Sequence, residues 1–118
     1  MNHQNGRKKL NLKSGHRKAI LRNQIIHFIN YGCLQTTKTH VKVVQKMVEK
    51  IVTLSREGYD FNTIRRIKQL LPYDAKAVTK MIKEIAPKYV GRPGGYTRVI
   101  LLGRRMSDTA PIARLEWV

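Results

Sequence analysis

The chain has 118 residues, with 24 lysines and arginines against 7 aspartates and glutamates and a formal charge of +17. So short a chain closes one modest core, and so basic a balance excludes most small enzymes and points to a polyanion as partner, nucleic acid first. At 42% hydrophobic residues it has material for a core and is not simply a disordered basic tail.

In residues 1 to 13 the only large apolar side chains are Met1, Leu10 and Leu12. That is too few and too irregular for an amphipathic element, so this stretch reads as an extended basic arm ahead of a single globular domain over 14–118. No acidic residue precedes Glu49, which leaves Arg7, Lys8, Lys9, Lys13, Arg17, Lys18 and Arg22 without local neutralisation. Such an arm lies on phosphate more often than it hangs free.

Ser14 precedes Leu21, Ile25, Phe28 and Ile29 at helical spacing, and Gly32 follows as a left-handed stop, so a helix is predicted over 14–31. Its buried stripe leaves His16, Arg17, Arg22, Asn23 and His27 on other faces. Cys33 to Thr36 reads as a short extended segment. Thr36 or Thr37 is then expected to cap a second helix that runs to about Arg56 with Val41, Val44, Val48 and Ile51 inward. This helix carries Lys38, Lys42, Lys46 and Lys50 at four-residue spacing, a row in which each like-charge pair costs roughly 0.2–0.5 kcal/mol. Phosphate alongside would reverse the sign of that penalty; an ordinary solvated face is the equal alternative.

A third helix is predicted from Asp60 or Asn62, with Ile64, Ile67 and Leu71 inward, ended by Pro72. A fourth is capped by Asp74, with Val78, Met81, Ile82 and Ile85 inward, and ended by Pro87. Acids at 57, 60, 74 and 84 dilute the charge here, so this pair reads as mainly structural. Gly91 to Gly95 reads as a turn. Tyr96 to Leu102 reads as a strand, and Ala110 to Val118 as a second that places Leu115 and Trp117 opposite Arg114 and Glu116; Pro111 marks an edge or a strand start. The loop Gly103 to Thr109 joins the two as a hairpin. Tyr96, between Gly95 and Arg98, is equally suited to stacking on an exposed base and to core packing.

No metal site, nucleotide loop or catalytic constellation is predicted. The four histidines never pair at i, i+4, the single Cys33 forms neither a zinc cluster nor an internal disulfide, and the carboxylates are scattered singly. One free cysteine suits a reducing compartment. With no apolar run of membrane-spanning length and no signal-peptide core, the chain is expected to be soluble and unexported, with no membrane and no small-molecule substrate as partner.

The residues together resemble the bacterial-type large-ribosomal-subunit protein number seventeen, the L-seventeen family. The resemblance lies in His3, Leu10-Asn11 with Ser14, His16-Arg17, Ala19, Arg22-Asn23, Thr36-Thr37 and Glu49 with Ile51 to Leu54. It is most specific in Arg92-Pro93-Gly94-Gly95-Tyr96-Thr97-Arg98-Val99, followed by Gly103, Arg105, Asp108, Ala110-Pro111, Ala113 and Glu116. It departs from the family pattern at Thr39, at Val41-Lys42-Val43 and at Ser107. The resemblance implies an α+β two-layer fold, with about four helices packed on a small mixed or antiparallel sheet that ends in the hairpin. It further implies a cytoplasmic, non-enzymatic constituent of the ribosome with no cofactor, an organellar ribosome staying open. Such a protein sits as a monomer on large-subunit ribosomal RNA near the nascent-chain exit tunnel, among neighbouring ribosomal proteins.

By the resemblance, His3, His16, Arg17, Arg22, Arg92, Tyr96, Arg98 and Arg105 become RNA-facing. Arg7, Lys8, Lys9, Lys13, Lys18, Lys38, Lys42 and Arg104 join them on charge. The alternative function is a DNA-binding or nucleoid protein that uses the third and fourth helices as a helix-turn-helix-like pair. An RNA-processing enzyme is a third reading, motivated only by His16 and His27 lying off the apolar stripe.

Overall fold

The computed structural model describes residue 10 and residues 12–56, 60–72 and 74–118. The candidate arm residues His3, Arg7, Lys8 and Lys9 lie outside the described residues. Four helices pack with a three-stranded antiparallel sheet, the first two directly on one of its faces and the third and fourth on those helices. Helix α1 is Ser14–Tyr31, and its buried Leu21, Ile25, Phe28 and Ile29 are the stripe that the spacing demands. Ser14 is the first helical residue rather than the cap: Lys13 holds the N-cap position, without a side-chain bond. At the other end Gly32 turns to φ 79°, a conformation costly for side chains with a Cβ, and its N–H closes the helix on the Phe28 carbonyl.

Strand β1 (Cys33–Thr37) runs straight into helix α2 (Lys38–Ser55). Thr37 takes the N-cap position as expected, yet its hydroxyl accepts no cap bond, because the residue still belongs to the sheet, opposite Ile112. Helix α3 is Phe61–Leu70, and Asp60 at its N-cap likewise makes no side-chain bond. Asp74 does cap α4 (Ala75–Lys80), accepting from the N–H groups of Lys76 and Ala77. Pro87 does not end this segment. The helix widens into a π turn over Met81–Ile85, in which the Ala86 N–H reaches back to Met81, and continues as a 3-10 turn over Ala86–Tyr89. The widening, with Pro87 in the first turn of the 3-10 segment, accommodates a ring and a missing N–H that an uninterrupted α-helix would not.

Strands β2 (Thr97–Arg104) and β3 (Pro111–Trp117) form the hairpin, and the order β1-β3-β2 makes β3 the centre. Pro111 therefore marks a strand start and not an edge. Leu34, Leu115 and Val99 stand in register on the covered face, and Arg98 and Ile100 alternate to the other face with Glu116 and Arg114. A bulge between Leu101 and Gly103 shifts the register, and Gly103 adopts φ 109° there. The core unites all the elements. Phe28 of α1 stacks on Trp117 of β3 at 4.5 Å, while Tyr89 meets Tyr96 edge-on at 5.4 Å. Leu10 is half-buried against the same core.

Candidate nucleic-acid interface

On α2 the buried Val41, Val44, Val48 and Ile51 leave the opposite side of the helix to the lysines. Lys38 is half-buried, and Lys42, Lys46 and Lys50 are exposed at one helical turn from each other. Among the described residues the ion pairs are Arg98 with Glu116, Arg114 with Glu116 and Arg105 with Asp108, and none reaches this row. The acid within the row, Glu49, is turned away. Its Oε1 accepts the Thr97 hydroxyl at 2.9 Å and ties α2 to β2. Lys46 and Lys50, which the candidate set omitted, thus stand on the same terms as Lys42, and their four-residue spacing was the signal.

On α1, His16 and Lys18 are exposed and Arg17 is half-exposed. Arg22 has a partial tie, one guanidinium nitrogen donating to the Gln69 carbonyl at 3.4 Å. Lys13 and Arg92 are exposed at the start of α1 and in the turn before β2.

The hairpin arginines are placed differently. Arg98 Nε lies 3.6 Å from Glu116, and Arg114 Nε approaches the same carboxylate to 2.9 Å at an angle unsuited to a hydrogen bond. Strand alternation puts both on the sheet face that the helices leave uncovered, so Arg114 belongs beside Arg98 although the candidate set lacked it. At the hairpin loop Arg105 donates through two nitrogens to the two Asp108 oxygens at 3.0 and 2.7 Å, and the Ala110 N–H adds 3.2 Å. These bonds, Arg105 first, hold the Asp108 carboxyl down to about 2 and raise Arg105 above its ordinary value. Arg104 donates to the Thr109 carbonyl at 3.0 Å.

Tyr96 is a correction. Its ring is 1% exposed, and its hydroxyl receives Arg56 Nη1 at 2.9 Å beside the Thr53 hydroxyl at 3.3 Å. Arg56 Nη2 continues to the Val90 carbonyl at 2.8 Å. Core packing wins because the preceding glycine turn folds the ring inward against Tyr89, which leaves no face for a base. Burial also pushes the Tyr89 hydroxyl upward, partly offset by the Arg92 charge, and that hydroxyl donates to the Val118 carbonyl at 3.0 Å.

No group of three or more metal-ligating side chains occurs among the described residues, and no described helix is long and apolar enough to cross a membrane. What the surface offers is cations. The family model for ribosomal protein L17 matches residues 20–118. The chain belongs to the ribosomal protein L17 family. Among its relatives, the large ribosomal subunit protein bL17 of Syntrophus aciditrophicus is 42% identical over 118 residues, which cover 100% of this chain and 93% of the relative. That of Desulforudis audaxviator is 40% identical over 113 residues, 96% of this chain and 99% of the relative. That of Geotalea daltonii is 40% identical over all of this chain, which spans only 64% of that relative's length. Residues 20–118 include α2 with its lysine row and the whole hairpin, so both cationic regions lie within the stretch that defines the L17 family.

Proposed function

We propose that the protein is a structural, non-enzymatic constituent of the large ribosomal subunit in the cytoplasm, seated on large-subunit ribosomal RNA. Membership of the L17 family supports the first part. The observation that supports RNA contact is the lysine row Lys42, Lys46 and Lys50, exposed and unpaired with any described carboxylate while Glu49 is held by Thr97. A surface that repels itself is stabilised by the phosphates that neutralise it. His16, Arg17 and Lys18 on α1, with the basic arm and Lys13, extend the contact. Arg92 adds to it, and the arginines of the open sheet face and hairpin, tied to Glu116, Asp108 and the Thr109 carbonyl, contribute less. A place near the nascent-chain exit tunnel, among neighbouring large-subunit proteins, follows from the family resemblance.

The test is binding to deproteinised large-subunit RNA across a salt series. Neutralising about 8 phosphates lowers log K against log salt with a slope near −6 to −7. A slope near −1, or preference for duplex DNA in direct competition, defeats the proposal and returns the α3–α4 pair to consideration as a DNA reader.

A further inference from the structure

We propose that α3 carries a stacking site for an unpaired base of the RNA; this rests on the RNA-binding reading above. The site begins at the first turn of the helix. Phe61, the first residue of α3, is 75% exposed, while Thr63 and Ile67 of the same helix are buried and fix it to the core. A lone exposed apolar side chain is ordinary on a protein surface, so it is the setting of Phe61, in a groove beside two cations, that points to a ligand.

Phe61, Ile64, Arg65 and Lys68 line an open groove of about 300 Å³. Their spacing at i, i+3, i+4 and i+7 places all four along one side of the helix. Ile64 is half-buried and packs on the core, which gives the groove an anchored apolar wall. The chemistry is specific: one aromatic face, one planar guanidinium that can continue a stack or fork onto phosphate, and one ammonium that meets phosphate as a point charge. Asp60, exposed at the N-cap, is the described acid next to Phe61, and α3 itself holds no carboxylate.

The other exposed apolar groups compare poorly as base platforms. Tyr31 already has His27 against its ring at 4.6 Å, and Leu101, Leu102 and Met106 on the hairpin have no π-face. Two cations on the groove's edge favour a nucleotide over an apolar protein segment as occupant. A paired base buries its faces in the helix stack, so the occupant is an unpaired or splayed nucleotide.

The full-length chain with Phe61→Trp supplies the probe, read as the difference from the parent, whose tryptophan is Trp117. Single-stranded oligoadenylate of about 12 nucleotides is the ligand, with a duplex RNA of the same length and inorganic polyphosphate as charge controls. Oligoadenylate is expected to quench the new emission, with little effect from the duplex or polyphosphate. Phe61→Leu is expected to weaken oligoadenylate binding by about 5- to 150-fold with its salt slope unchanged, and Arg65→Gln to reduce the slope by about 1. Equal quenching by polyphosphate overturns the site, as does unaltered oligoadenylate binding by Phe61→Leu. If the parent still binds large-subunit RNA with a steep salt slope, such a result leaves RNA binding standing and removes only the stack. If the parent binds no ribosomal RNA, both proposals fall together.

Discussion

The α2 lysine row and the β2–β3 hairpin are alike in the sequence, each a short segment dense in cations, yet the fold uses their charge in opposite ways. Lys42, Lys46 and Lys50 face solvent, and the acid among them is held elsewhere by Thr97. On the hairpin Arg105 is clamped to Asp108, Arg98 and Arg114 share Glu116, and Arg104 caps the Thr109 carbonyl. One region stores repulsion that a polyanion relieves; the other converts charge into local shape. Net charge therefore overstates what is available for phosphate, and the partner of each cation decides its role.

Removing the row gives the largest expected effect. Lys42→Gln, Lys46→Gln and Lys50→Gln combined should flatten the RNA salt slope by about 2 to 3. The same variant should unfold at slightly higher urea, because three like-charge pairs, 38/42, 42/46 and 46/50, at roughly 0.2–0.5 kcal/mol each disappear. An equal flattening from Arg104→Gln with Arg105→Gln would erase the contrast between the regions. Next comes Tyr96→Phe, which strips the acceptor from Arg56 and the partner from Thr53. A loss of about 1–2 kcal/mol in urea unfolding is expected, with RNA affinity unchanged. A large drop in RNA affinity without unfolding would restore the ring to RNA contact.

Smaller still is Glu116→Gln, which releases two partly exposed arginines and should cost under about 1 kcal/mol while moving the salt slope by less than one. The finest test is acid titration. The Asp108 carboxyl sits at about 2 in the fold against 3.8 ordinarily, so its stabilising contribution is present above the ordinary value and is lost as pH falls through about 2. Asp108→Asn should be less stable than the parent at neutral pH, and the difference should shrink over that acid window in thermal melts. A difference that stays constant down to pH about 2 would show that the Arg105 clamp contributes nothing through ionisation.

Local patterns made most of the helical layer readable, since the Leu21 to Ile29 spacing with Gly32, and Asp74 before its apolar run, are complete within a few residues. What escaped depended on partners distant in the chain. Whether Thr37 caps a helix turns on its pairing with Ile112, and whether Pro87 stops one turns on a helix already widened at Met81. Tyr96 was poised between core and RNA until Tyr89 and Arg56 were placed around it. The candidate interface was legible as charge, because lysine spacing is visible without a fold. The division between free and tied cations was not, because Arg98 meets Glu116 only through strand register.

The central position of β3 also sets an order of events in time. Strands β1 and β2 do not bond to each other; both lean on Pro111–Trp117, with Cys33 facing Glu116 across most of the chain. Helices α1 and α2 close over neighbouring residues and form early, whereas the β1–β3 half of the sheet waits on one long loop closure. Refolding should therefore show helical signal ahead of the burial of Trp117. Until β3 docks on β1, the facing edges of these two strands stay open in addition to the outer edges of the finished sheet, and that interval is when self-association is most strongly favoured.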